Sequence, residues 1–486
     1  MLAERGHTVV LAAERQRNRP LWLPKNLTLA NRGLRARGLP GRIEMTACPA
    51  HRIDRWQQAA PAVRLARDYL RFLDPGYADR DKLERRSAAH APSGWPQFLR
   101  RHGWITRNWK LVSRVLALIE QAIPSEKLFD LFIKYERPDV VLVTPLVDYG
   151  SYQTDYVKSA HRVGVPVVFV PFSWDNLTNR GLVRVEPDRV LVWNEIQKQE
   201  AVDLHEVSPD RVIVTGAPRF DAFFAMRPSD SREALCARVG LDPSTAFVLY
   251  VCSSEFVAPR EVEFVKRWAA SLRASEDPIT RTCGILVRPH PAHPKQWKNV
   301  DLSAFGNAAL WSEKETMNAD QSLYDSLSHA AACVGLNTSA MIEAGILEKP
   351  VLTLVSDEFA GGQEETLHFH YLRASNGGLL IEARSLAEHV EQLGHALRTS
   401  DSRTQARRFV QNFVRPRGLE VDVTPIMVEE IERALRMAKR PQGVALWHYP
   451  VRALLQLLFA MRRTTRRRRA GSQAAPISAV GRDARD

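Results

Sequence analysis

The chain has 486 residues, 45% hydrophobic and 25% charged, with 68 Lys and Arg against 55 Asp and Glu and a formal net charge of +13. At about 100–200 residues per domain this suffices for two or three full-sized cores, and the composition excludes global disorder. Five cysteines (Cys48, Cys236, Cys252, Cys283, Cys333) without C-x-x-C spacing exclude a disulfide scaffold or zinc ribbon and fit a reducing, cytoplasmic setting.

Met1 to His7 reads as the last turn of a helix capped by Gly6, running straight into a strand at Thr8–Ala12. A doubly wound domain normally opens with a strand, a turn and then that helix. The reading therefore expects a further strand and turn, about 20 residues, ahead of Met1. Residues 50–125 read as a helical, Arg-rich insertion (Arg52, Arg55, Arg64, Arg67, Arg71, Arg100, Arg101, Arg107). Short apolar runs follow at Asp139–Val143, Val165–Val170, Arg189–Trp193, Arg211–Val214, Phe247–Val251, Gly284–Val287, Ala332–Gly335 and Pro350–Leu354. Near-continuous apolar runs mark strands buried on both faces, and helical stretches between them make repeated βα units. The fold class is α/β, with two Rossmann-like doubly wound domains, at 1–190 and 191–400. Closing helices follow at 401–440, with Val428, Ile431, Leu435 and Ala438 at helical spacing.

From Pro441 onward nine Arg stand against two Asp, net +7, leaving +6 on the first 440 residues. The stretch 446–461 is apolar, bears Trp447 and Tyr449, and leads into the arginine run Arg462 to Arg469. It is too interrupted to span a bilayer, and 446–469 suits the anionic face of a membrane. A solvated tail whose apolar part caps a domain is the structural alternative. No aromatic residues interleave the arginines, so nucleic acid is not an expected partner.

Parallel sheets bind ligands at the carboxyl ends of their strands. After Val143 comes Asp148, a candidate base or a helix cap, with Gln153 nearby. After Val170 come Ser173, Trp174, Asp175 and Asn176: a ring to stack on a sugar and polar groups for hydroxyls, or an Asx turn. Ser253 and Ser254 follow Val251. Arg288 and His290 follow Val287, with His290 stiffened by Pro289 and Pro291. Asn337, Thr338 and Ser339 open a helix whose amides suit an anion, and Glu343 lies one turn further on. The segment Phe359–His370, with Gly361 and Gly362, is a candidate lid, or His368 and His370 pack as strand residues.

Gly335–Val351 resembles the donor-binding signature of GT-B-fold glycosyltransferases: a small hydroxyl-rich turn, then Glu-Ala, then Lys-Pro-Val. Val190–Phe224 resembles a segment common to CDP-glycerol glycerophosphotransferases, UDP-N-acetylglucosamine 2-epimerases and surface-polysaccharide transferases. Arg288–Pro291 matches their His-Pro motif, and Glu4–Val9 resembles the end of their first helix. The similarity covers residues 1–20 and 138–400. It implies two lobes across a cleft, the second holding the nucleotide donor and the first the acceptor. Glu343 would meet donor ribose or sugar, Asn337, Thr338 and Ser339 the diphosphate, with Ser253, Ser254, Arg288 and His290 beside them. Gln153, Ser173, Trp174 and Asn176 would meet the acceptor, and Asp148 and Asp175 stand as catalytic carboxylates by position. Leu336–Ser339 replaces the Asp-Tyr-Ser-Ser of the glycerophosphotransferases, which counts against that activity.

The expected function is transfer of a sugar from a nucleotide diphosphate-sugar, a substrate, to a surface-glycan or lipid-linked acceptor, with no metal and no resident cofactor. The alternatives are an enzyme like the UDP-N-acetylglucosamine 2-epimerases, acting on the donor alone, or like the CDP-glycerol glycerophosphotransferases, and a silent nucleotide-sugar binding module.

Overall fold

A computed structural model describes residues 1–14, 23–78, 80–311, 319–399, 401–437, 441–443 and 445–457. Every strand ladder among them is parallel. The first lobe holds a four-stranded sheet and a separate two-stranded one. β1 (Thr8–Glu14) pairs with β2 (Arg42–Cys48) in the small sheet. β3 (Val141–Val143), β4 (Val167–Phe169), β5 (Arg189–Val192) and β6 (Val212–Val214) pair in that order in the larger one.

The second lobe's sheet runs through β7 (Phe247–Val251), β8 (Gly284–Arg288), β9 (Ala308–Leu310), β10 (Ala332–Gly335), β11 (Val351–Leu354) and β12 (Leu380–Ala383). Its order is β12-β11-β10-β7-β8-β9, the double winding whose direction reverses between β7 and β10. Alternate residues of β7 serve two cores. Phe247, Leu249 and Val251 pack with Leu327, Met341 and Phe409 on one face. Val248 and Tyr250 pack with Val265, Trp268 and Leu393 on the other. The α/β expectation of two Rossmann-like lobes is realised.

Three details correct the sequence reading. β1 does not join the main sheet; five of its seven residues are exposed, and Val10 and Leu11 show their apolar side chains to solvent. β5 and β6 belong to the first sheet, so the passage to the second lobe comes after Val214 and not at 190. The closing helices divide between lobes: Phe409 and Val410 of Ser402–Phe413 join the second lobe's core, while Ile431 and Ala434 of Val423–Leu435 pack on Val168 and Leu191. Val428 is buried with them; Ala438 lies outside the described residues. Residues 448–457 are helical and dock through Leu455 on Trp56, Ala59, Ala60 and Ile123. The arginine run Arg462–Arg469 lies outside the described residues. Among the described residues no helix is long and apolar enough to cross a membrane.

The helical insertion is held by ion pairs rather than by apolar contact alone. On the helix Ala59–Leu70, Arg64 is buried between Glu120 (3.0 Å) and Asp155 (2.8 Å), and Arg52 also pairs with Asp155 at 2.6 Å. One turn on, Asp68 pairs with Arg184 and accepts from Gly150 and Leu182 amides, both at 3.0 Å. Arg71, in the following turn, donates to the carbonyls of Leu177, Thr178, Arg180 and Gly181. Gly181 is required here: a Cβ would stand 2.6 Å from Arg184 Nη2 and 2.8 Å from Asp68 Oδ2. Removing one partner of such a network leaves a buried charge without compensation. Asp155→Ala is expected to lower stability by about 3–5 kcal/mol in urea unfolding, whereas truncating the exposed Arg85–Asp81 pair costs less than about 1 kcal/mol.

Candidate active site

In an open parallel sheet the ligand site is expected beyond the strand ends where the order reverses, here those of β7 and β10. Ser253, directly after β7, is fully buried; its amide donates to both oxygens of Glu261 (3.0 and 2.9 Å). Burial pushes the Glu261 carboxyl up to about 8, against hydrogen bonds from Ser253 and Tyr250. Ser253 Oγ accepts from the Asn337 amide at 3.4 Å, which joins the two turns. Ser254 is partly exposed at the rim.

The turn after β10 is not the open anion cradle expected. Asn337 and Thr338 are only 5% and 9% exposed. Asn337 Nδ2 donates to the Gly362 carbonyl at 2.6 Å, with Thr366 Oγ1 and His368 Nε2 at 3.4 Å. Gln363 donates to the carbonyls of Leu336 (3.1 Å) and Leu354 (3.0 Å). The segment 357–370 therefore lies over the ends of β10 and β11. Its glycines serve close approach, since a Cβ on Gly362 would meet Val257 backbone at 2.7 Å. His368 and His370 sit at the start of a short helix, Phe369–Leu372, and not in a strand. The helix opening at Ala340 runs only to Ile346, and Ser339 caps it without a side-chain bond.

The same segment joins the lobes. Trp174, 4% exposed, packs edge-on against His368 (4.8 Å between centroids) and Phe413 (6.3 Å). The ring is part of the core and not a platform for sugar. Thr178 Oγ1 approaches His368 Nδ1 at 3.5 Å. Burial lowers the His368 imidazole to about 4, against the pull of Asp175. Tyr371 donates to Glu200, whose carboxyl burial pushes up to about 8. From the insertion, Lys82 donates to the Phe256 carbonyl and its amide to Glu365 at 3.2 Å.

Of the other first-lobe residues, Asn176 is buried and accepts from the Ser173 amide three residues earlier at 3.0 Å, a bond that fixes the turn without being the Asx turn expected. Gln153 clamps the turn after β3, accepting from the Leu146 amide (3.0 Å) and donating to the Thr144 carbonyl (2.7 Å). Trp174, Asn176 and Gln153 are thus spent on structure. Ser173 stays partly exposed. Asp148 pairs with Arg180 and keeps half its side chain exposed; it caps no helix, because the next one starts at Gln153 after Tyr152. Asp175 accepts from Asn179 Nδ2 at 2.9 Å. Burial alone would raise its carboxyl, yet His368 and hydrogen bonds from Ser173 and Asn179 hold it below the ordinary value.

Glu343 is a shielded carboxyl without a close ion pair. Its side chain is 12% exposed and its nearest cation, Arg219 Nη2, stands 3.8 Å away. Burial pushes its carboxyl up to about 7, against Arg219 and Arg288 and with Asp320. Arg219, from the bridging segment, lies over Phe172 (5.4 Å) and Phe220 (5.0 Å), and Phe172 is 64% exposed on the first lobe. Arg219 and Phe172 were within the segments singled out in the sequence, but nothing in their spacing marked them as partners of Glu343. Arg288 is held by Ser322 Oγ (2.6 Å) and Ser326 Oγ (3.3 Å) and stacks over Trp311 at 4.5 Å. Its fork is committed to the 319–329 helix. His290 Nδ1 accepts from the Ala292 amide at 3.1 Å, and burial, with His293, keeps the ring neutral by lowering its pKa. His293 approaches Glu255 at 3.8 Å; neither was singled out in the sequence. Among the described residues no group of three or more His, Cys, Asp or Glu is placed to hold a metal ion.

No family model and no curated protein matches the chain. Solved structures similar to it include the wall teichoic acid polymerase TagF, at 14% identity and TM-score 0.36 over 51% of this chain and 58% of that one. Others are MnaA of S. aureus with UDP (16%, TM-score 0.43, 65% and 81%) and the lipopolysaccharide-biosynthesis glycosyltransferase WaaG (13%, TM-score 0.41, 88% and 100%). The chain spans little more than half the length of the polymerase. Every TM-score is below 0.5, so the fold rests on the strand order and not on these likenesses.

Glu343 carries a testable sign. Its folded pKa lies above the unfolded value, so it stabilises fully below about 4.5 and that contribution fades as pH rises through 7. Glu343→Gln, neutral throughout, is expected to gain on the parent by on the order of 2–3 kcal/mol between pH 4.5 and 8, read by urea unfolding at stepped pH. A constant difference would mean that Glu343 ionises normally.

Proposed function

We propose that this chain is a nucleotide-sugar-dependent transferase of the GT-B kind, moving a sugar to a surface-glycan or lipid-linked acceptor. The observation that carries the reading is Glu343: a shielded carboxyl near its titration point, on the helix after β10, with Arg219 beside it and exposed Phe172 under that guanidinium. A carboxyl that is half protonated at neutrality both donates to and accepts from hydroxyls, which suits ribose or sugar recognition. Arg219 supplies positive charge where a leaving diphosphate develops negative charge, so the reading needs no metal and no resident cofactor. Ser254, His290 and Ser339, partly exposed around the same rim, complete the donor side. Asn337, Thr338 and Ser253 act by shaping the turns beneath it. Asp175, ionised at neutrality, is the favoured base for the acceptor hydroxyl, with Asp148 further out on the same lobe.

A screen of nucleotide sugars with and without glycan or lipid-linked acceptors tests this. Glu343→Ala is expected to lower kcat/KM about 10–100-fold and Arg219→Ala to lower kcat about 100-fold. Unchanged donor affinity and turnover in Glu343→Ala would overturn the donor assignment. Conversion of the donor without acceptor would favour the epimerase class, and no binding of UDP, GDP or CDP the silent module. The same reading places the enzyme at an anionic membrane surface, through exposed Tyr449, Leu454 and Leu457 of the docked tail helix and the arginines beyond it. Flotation with anionic liposomes is expected for the full chain and not for one ending at Arg440.

A further inference from the structure

A cavity of about 900 Å³ lies between the first lobe, the end of the insertion and the tail. Its walls include Glu186 and Arg211, just before β5 and β6, and Arg162 at the end of the helix Gln153–Val163. It therefore opens toward the amino ends of the strands, away from the crevice at their carboxyl ends.

Positive charge gathers there from separate segments. Lys158 and Arg162 come from the first lobe and Arg452 from the tail, while the wall's Glu186 and Glu206 are paired with Arg211 and Arg67. Lys158 is committed to Glu120 at 2.8 Å, and Arg162 reaches Asp130 at 2.9 Å while keeping more than half its side chain exposed. Arg452 donates Nε to the Ala122 carbonyl at 2.6 Å and, among the described residues, meets no carboxylate. Burial lowers its pKa, and Arg162 and Arg55 press the same way against Tyr449. Docking the tail helix thus brings Arg452 to the wall it shares with Arg162, like charges whose repulsion an anion removes.

We propose that this cavity binds a phosphate-bearing ligand, with Arg162 and Arg452 meeting the phosphate and Ile123, Val183 and Trp447 lining the space for its organic part. The volume is at the upper end of small-molecule pockets, about 300–1,000 Å³, and exceeds what inorganic phosphate alone fills. A soluble phosphate ester and a phospholipid headgroup carry the same group. Either ties the tail to the first lobe.

Isothermal titration of the full chain with glycerol 3-phosphate, and co-sedimentation with phosphatidylglycerol vesicles, test the site. Binding is expected to weaken at least 10-fold in the Arg162→Gln/Arg452→Gln pair and to persist in Arg260→Gln/Arg436→Gln, which removes the same charge elsewhere. Glycerol 3-phosphate is also expected to slow chymotryptic cleavage between Leu446 and Tyr449. Loss of vesicle binding in the first pair alone, without binding of the soluble ester, identifies the headgroup as the source. Equal behaviour of the two double variants, or no binding of either probe, overturns the proposal. Arg219→Ala must leave this binding intact, so its outcome is independent of the transferase reading.

Discussion

The buried charges on the helix Ala59–Leu70 hold the first lobe in its shape. Arg64, Asp68 and Arg71 follow one another at helical spacing and face inward, where each finds partners on a different part of the lobe. Arg64 reaches Asp155 at the root of the helix after β3. Asp68 gathers the Gly150 and Leu182 amides with Arg184. Arg71 collects four carbonyls of the loop after β4. Those loops would otherwise present unsatisfied backbone groups, because they run at a strand's end without a ladder of their own. The insertion is thus the scaffold that gives the crevice its first-lobe wall.

The division of labour between the lobes follows from this. The second lobe is built on six strands with cores on both faces and needs little help from ion pairs. The first has short strands of three or four residues in its main sheet and compensates with charged anchors. Glu343 and Arg219 come together at the junction: one from the second lobe's short helix after β10, the other from the segment that has just left β6.

Much of this was legible in the sequence, because fully buried parallel strands leave an unbroken apolar record. β4 to β8, β10 and β11 stand out that way. β2 does not: Arg-Ile-Glu-Met-Thr-Ala-Cys has no apolar run, only the partial alternation of a half-exposed strand, and is assigned to no element. β9 and β12 are too short or too mixed to register. The arginines of the insertion gave no sign of burial, since nothing local tells a buried Arg from an exposed one; the carboxylates that hold Arg64 lie 56 and 91 positions away. Strand ends pointed to the turns after β7 and β10, but several of the side chains expected there to bind ligand are buried and used within the protein. Trp174, Asn176 and Asn337 have the chemistry of binding residues and are used inside the protein, because the partners that claim them, His368, Ser173 and Gly362, are fixed only by the fold. Glu343 emerged from both routes.

Two contacts in the joint between the lobes are made by groups that carry no charge near neutrality. Glu200 keeps its proton until about pH 8 and accepts from Tyr371, while His368, neutral above about 4, lies against the indole of Trp174. Dissolved salt screens ion pairs at the surface but has little to act on here. Those two contacts are therefore insensitive to ionic strength and to mild acidification, whereas Lys82 and Asp175 beside them remain open to both.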